Sequence, residues 1–115
     1  FKAMVEAQET VIQAIRPGVT SQEMDKLGRD VLRKYGYEEY AIHRIGHGQG
    51  LGRHEEPFLI FNSTLVLQEG MVFTVEPGIY IPGLGGFRHS DTLIITKDGC
   101  ENTTDFRREF SEMVF

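Results

Sequence analysis

The chain has 115 residues, room for one domain or part of one. Hydrophobic residues at 40% and charged residues at 25% make an ordinary globular mixture, which excludes disorder and collagen. Asp and Glu number 17 against 12 Lys and Arg, so the net charge is −5 and the basic footprint of a nucleic-acid binder is missing. A single cysteine, Cys100, cannot form an internal disulfide, and it reads as an inert, structural thiol. No apolar run approaches the ~20 residues of a membrane span, so neither nucleic acid nor a membrane is an expected partner, and the chain reads as cytoplasmic. It opens on Phe1 inside a helical pattern, which leads to the expectation of a piece of a longer protein.

Phe1, Met4, Val5, Val11, Ile12 and Ile15 recur at helical spacing, and Arg16-Pro17-Gly18 ends the run, which predicts an amphipathic first helix. Thr20-Ser21-Gln22-Glu23 fits a capping box at the start of a second. Met24, Leu27, Val31, Leu32 and Tyr35 then form one apolar stripe up to Gly36, a natural C-cap. Residues 40–45 have strand-like composition, and Gly46, Gly48, Gly50 and Gly52 follow at alternate positions, as a loop or an irregular strand. Over residues 71–76, Met71, Phe73 and Val75 alternate with Val72, Thr74 and Glu76, the pattern of a strand with two unlike faces. Pro77-Gly78 interrupts it, residues 79–81 resume extended structure, residues 82–86 turn, and residues 87–96 read as one long strand. Asp98-Gly99 should close a hairpin into residues 100–102. Helices followed by strands predict an α+β fold with a mostly antiparallel sheet.

Of four histidines, His43, His47 and His54 cluster in the glycine-rich segment, followed by Glu55 and Glu56. Imidazole and carboxylate are common metal ligands and glycines permit close backbone approach, yet a surface loop with solvated histidines explains the clustering equally well. His54-Glu55-Glu56-Pro57-Phe58 is not a zinc-protease helix, because Phe58 stands where the second histidine is required and Pro57 disfavours the helix. The alternating glycines do not fit the dinucleotide pattern either.

Gly46-His47-Gly48-Gln49-Gly50, then His54-Glu55-Glu56-Pro57, then Glu69-Gly70-Met71-Val72-Phe73-Thr74-Val75-Glu76-Pro77-Gly78-Ile79-Tyr80, then Gly85-Gly86-Phe87-Arg88 resembles the pita-bread metallopeptidases. The branch it looks like is the Xaa-Pro dipeptidases (prolidases) and Xaa-Pro aminopeptidases, with methionine aminopeptidase more distant. The resemblance implies that residues 1–115 are the carboxyl-terminal part of a pita-bread catalytic domain, two helices on a mostly antiparallel, curved sheet. It implies a divalent metal pair (manganese, cobalt or zinc) held by two aspartates, one histidine and two glutamates, and activation of water for attack on a peptide carbonyl. By motif, His47 and Glu76 match metal ligands, and His54 matches the histidine that contacts the scissile carbonyl. His43 and Arg88 resemble substrate-contacting or supporting positions, with hydrogen bonding inside the sheet as the alternative. The implied partners are a peptide or small amide substrate and a homodimeric second copy.

Two departures bear on that metal pair. The family's aspartates lie before the first helix, ahead of Phe1. The second metal glutamate belongs two residues after the arginine of Gly-Gly-x-Arg, where this chain has Ser90, a neutral hydroxyl. Strand alternation puts Arg88 and Ser90 on one face and His89 and Asp91 on the other, so neither His89 nor Asp91 replaces the carboxylate without a bulge or a register change. With His47 and Glu76 as its only matched ligands, the isolated chain is expected to bind metal weakly and to be inactive. Three readings follow: a metal-dependent Xaa-Pro peptidase, a creatinase-like metal-independent C–N hydrolase, and a non-catalytic pita-bread binding module.

Overall fold

The computed structural model describes residues 1–109 and 111. Two helices, α1 (Lys2–Ala14) and α2 (Ser21–Lys34), form the first layer and pack on each other. The capping box is present: Glu23 N–H donates to the Thr20 hydroxyl, and the Glu23 carboxylate accepts from Thr20 N–H. Past the end of α2, Gly36 takes φ +76°, the left-handed conformation in which a side chain would be strained. Among the described residues no helix is long and apolar enough to cross a membrane.

The second layer is a five-stranded antiparallel sheet in the order β2-β1-β3-β6-β7, from β1 (Gly46–Gly48), β2 (Glu55–Leu59), β3 (Val72–Val75), β6 (Asp91–Ile95) and β7 (Cys100–Asn102). A two-stranded ribbon joins β4 (Gly78–Ile81) to β5 (Gly85–Arg88). Val11 of α1, Ile15 just past its end and Met24 of α2 meet Phe73, Val75, Leu93 and Ile95 in one core; Met4, Ala7 and Leu32 meet Ile79 in a second. Full burial of Phe73 and its cross-strand partner Leu93 stabilises the fold by roughly 1.5–3 kcal/mol each. Cys100 is half-buried with Sγ 3.5 Å from the Ile12 carbonyl oxygen, and burial pushes its thiol up, as suits a structural cysteine.

Three details differ from the sequence expectations. The expected strand at residues 40–45 is instead the end of a 3-10 turn (Glu38–Tyr40) and an irregular segment. Two of its carbonyls are taken by Arg29, whose guanidinium donates to the Ala41 and His43 oxygens at 3.0 Å each, while its Nε holds the buried Asp25 at 2.9 Å. No element was expected at β2, where Pro57 spoke only against a helix; the proline is tolerated there because β2 is an edge strand. The long strand expected over residues 87–96 is two strands in two sheets, broken at His89-Ser90. The alternating-glycine segment begins as the irregular strand that was one of its two expected forms: β1, with a register irregularity between His47 and Gly48.

The break at His89-Ser90 preserves register. Pairing runs Val72↔Ile94 to Val75↔Asp91 on one side and Gly78↔Arg88 to Ile81↔Gly85 on the other, which places Glu76 opposite Ser90 and Pro77 opposite His89. A single hairpin therefore spans both sheets and is unpaired only in the middle.

Gly46 and Gly48 are glycines for steric reasons. A Cβ on Gly46 would stand 1.9 Å from the Thr74 carbonyl oxygen, and one on Gly48 would stand 2.1 Å from the Glu56 carbonyl oxygen. We expect Gly46→Ala to destabilise the chain by about 3 kcal/mol in urea unfolding, the cost of displacing a central strand. A loss below 0.5 kcal/mol, the size of an ordinary surface change, would mean that the close approach is not required.

Candidate active site

Alternation along β3 and β6 creates two faces. Phe73, Val75, Asp91, Leu93 and Ile95 are buried, whereas Val72, Thr92 and Ile94 on the opposite face are partly open. Glu76 and Ser90 continue that open face beyond the paired residues, and the Ser90 hydroxyl donates to Glu76 Oε2 at 3.2 Å. Glu76 N–H donates to the Ile45 carbonyl oxygen at 2.6 Å, which ties the carboxylate to the segment entering β1.

His47 enters the same face from β1. Its backbone N–H donates to Thr74 Oγ1 at 3.1 Å. Its Nδ1 lies 2.9 Å from the Gly48 carbonyl oxygen; a carbonyl only accepts, so Nδ1 carries the proton. The other ring nitrogen, Nε2, is then directed at Glu76 Oε1 at 3.3 Å, with both side chains largely buried (7% and 13% exposed). An imidazole lone pair against a carboxylate is repulsive, and a metal ion between or beside them would relieve it.

His54 lies beside His47, the rings perpendicular with centroids 4.3 Å apart. Desolvation, then positive charge on His47, Arg44 and Arg53, holds the His54 imidazole below the usual histidine range, with Glu76 pulling weakly the other way. Near pH 7 it is therefore a neutral ring with one N–H to donate.

The structure thus brings His47, Glu76, His54 and Ser90 together. His43 sits apart from this cluster: its Nδ1 contacts the Arg44 carbonyl oxygen at 2.7 Å and its Nε2 contacts the Tyr80 hydroxyl at 3.0 Å, so both ring nitrogens are engaged within the protein. It rests on Gly78, where a Cβ would come within 2.6 Å of its Nε2. Arg88 is exposed and pairs with Gly78 across the ribbon. As alternation predicts, His89 and Asp91 share the other face, His89 Nδ1 lying 3.3 Å from Asp91 Oδ1, so no bulge brings either to the position of the missing carboxylate. Sequence reasoning missed Thr74 and Tyr80, polar residues whose partners are distant in sequence.

The donors present suit a divalent ion in kind, an imidazole nitrogen and a carboxylate. They fall short in number: among the described residues no group of three or more His, Cys, Asp or Glu could hold one.

With this geometry in place, relationship is informative. The chain belongs to metallopeptidase family M24, whose profile matches residues 1–97. A Xaa-Pro dipeptidase of Pyrococcus furiosus is 46% identical over 109 residues, 95% of this chain and 31% of the relative's length. A Xaa-Pro dipeptidase of Lactobacillus helveticus is 50% identical over 99 residues, 86% of this chain and 27% of its own. The solved prolidase from Pyrococcus furiosus superposes with a TM-score of 0.92 at 45% identity, over 94% of this chain and 32% of that one. An X-Pro aminopeptidase from Thermotoga maritima superposes with a TM-score of 0.91 at 39% identity, over 94% of this chain and 31% of that one. The two helices and mostly antiparallel sheet are part of a pita-bread fold, and the chain spans under a third of the length of these relatives.

The charge contact within the site is open to direct measurement. Titrated by NMR, His54 should ionise below the usual histidine range, and His47→Gln should raise its pKa by removing a neighbouring positive charge. A His54 pKa unmoved by that change would show that the two rings are not coupled.

Proposed function

We propose that the full chain carrying these residues is a metal-dependent Xaa-Pro dipeptidase that cleaves the peptide bond before proline. The observation that carries the proposal is the meeting of His47, Glu76 and His54 on one face of the sheet, in a chain 46% identical to a Xaa-Pro dipeptidase. Residues 1–115 form the carboxyl-terminal part of its catalytic domain in this reading.

His47 Nε2 and Glu76 Oε1 would hold the metal, manganese, cobalt or zinc, with the remaining ligands from outside the described residues. When bound, such an ion polarises a carbonyl and lowers the pKa of a coordinated water. The protein's own residues perform the rest. The His47 Nδ1–H bond to the Gly48 carbonyl fixes the ring plane and keeps Nε2 free to bind. Ser90 donates to Glu76 Oε2 and so fixes the rotation of the carboxylate. His54, neutral and exposed beside His47, is placed to donate an N–H to the oxygen on which charge develops as the carbonyl is attacked. Arg88 is an exposed cation that can meet the carboxylate of a dipeptide. His43, with both nitrogens engaged, braces the Tyr80 hydroxyl of β4.

Ser90 favours one second reading, a creatinase-like C–N hydrolase that works without metal, because a hydroxyl is a poor bridge between two dications. Chelation separates the two. Turnover of a Xaa-Pro dipeptide by the full chain should vanish on dialysis against a chelator, return with manganese, and be lost in His47→Ala and Glu76→Ala. Chelator-resistant cleavage of a small amide would instead support the second reading. In His54→Ala, kcat should fall on the order of 10²-fold, the effect of removing one oxyanion donor; an unchanged kcat would remove His54 from the chemistry.

A further inference from the structure

The hairpin that carries Glu76 and Ser90 loses its main-chain pairing where those two residues sit. Ile95 N–H donates to the Met71 carbonyl oxygen at 2.9 Å, and Thr92 N–H turns away to Thr104 Oγ1 at 2.9 Å. The hydrogen-bonded pairs of this antiparallel ladder therefore fall on alternate residues: Met71 with Ile95, Phe73 with Leu93, Val75 with Asp91, and next Pro77 with His89. Proline has no N–H, so the His89 carbonyl has no donor across the hairpin.

Gln8 supplies one. This residue of α1 is fully buried, on the same side of the helix as Met4 and Val11, and its Nε2 donates to the His89 carbonyl oxygen at 3.1 Å and to the Val75 carbonyl oxygen at 2.9 Å. Those two carbonyls immediately precede Ser90 and Glu76. The amide cannot turn round, because Arg108 donates to Gln8 Oε1 at 3.2 Å and a guanidinium has no acceptor. Arg108 is itself anchored on Asp91, which also accepts from Asn102 Nδ2 at 2.8 Å.

We propose that Gln8 is a positioning residue of the active site: its side-chain amide replaces the ladder bond that Pro77 cannot make and fixes the backbone from which Glu76 and Ser90 project. Glu76 is thus held twice, by its own N–H on the Ile45 carbonyl and by Gln8 on the carbonyl just before it. Gln8 touches no substrate. Its effect passes through the Ser90–Glu76–His47 alignment, so its loss acts on turnover rather than on binding.

The activity arm of the test rests on the dipeptidase reading, and the hydrogen-exchange arm does not. Two variants of the full chain are compared with wild type: Gln8→Met, of similar length without a donor, and Gln8→Glu, which keeps an acceptor for Arg108 and loses the donor near pH 7. In both, kcat on a Xaa-Pro dipeptide should fall on the order of tenfold to hundredfold with KM little changed. Amide exchange should quicken at Glu76 and stay slow at Phe73 and Leu93, the paired core. Should Gln8→Met fail to fold, Gln8→Glu carries the comparison. A folded variant with wild-type kcat, or exchange that quickens equally at all three amides, overturns the proposal. A wild-type chain that hydrolyses no Xaa-Pro dipeptide defeats the functional reading alone, and exchange at Glu76 then decides the role of Gln8.

Discussion

An antiparallel hairpin that is paired on both sides of a proline, but not at it, has to hold its unpaired residues by some means other than the ladder. The chain from Val72 to Ile95 is in that situation, with one register throughout and a gap at Glu76-Pro77 and His89-Ser90. The gap releases two residues from strict pairing on the open face, while Phe73, Val75, Leu93 and Ile95 anchor the same strands in the core. The helices cover the other face, and β1 brings His47 against the open one. The placement of the site is thus a consequence of where the sheet is allowed to separate.

The two carboxylates nearest that gap live in unlike surroundings. Asp91 is fully buried and compensated by Arg108 and Asn102, with His89 alongside; stripping one partner from a buried pair of this kind costs about 3–5 kcal/mol. Glu76, one residue past the pairing on the opposite strand and on the other face, shares its oxygens between a histidine nitrogen and a serine hydroxyl and is partly open. One carboxylate is committed to structure and the other is available for chemistry. Asp25 follows the structural pattern: burial pushes its carboxyl up while Arg29 opposes the shift.

Much of this was readable in the sequence, and the exceptions have physical causes. Helix periodicity, the Thr20–Glu23 capping box and the alternation around Phe73 are local patterns, and each yields its element. The meeting of His47 and Glu76 was available only through the family motif, since the sheet brings together residues far apart in the chain. The 40–45 segment is not a strand because Arg29, a distant side chain, satisfies the Ala41 and His43 carbonyls in place of a neighbouring strand. The 87–96 strand was misread as continuous because His89-Ser90 is an unremarkable dipeptide; the interruption is imposed from the opposite strand by Pro77. Gln8 was overlooked since a lone glutamine on the apolar side of a helix gives no hint of the carbonyls awaiting it.

The glycines on either side of His47 carry a consequence of another kind. Packing between side chains can drift, because a smaller residue on one side is offset by a larger one opposite. Gly46 and Gly48 face the carbonyl oxygens of Thr74 and Glu56, main-chain atoms that every amino acid presents alike. The path of the backbone through His47 is therefore insulated from changes in core composition, and chains with quite different interiors can hold the same imidazole in the same place.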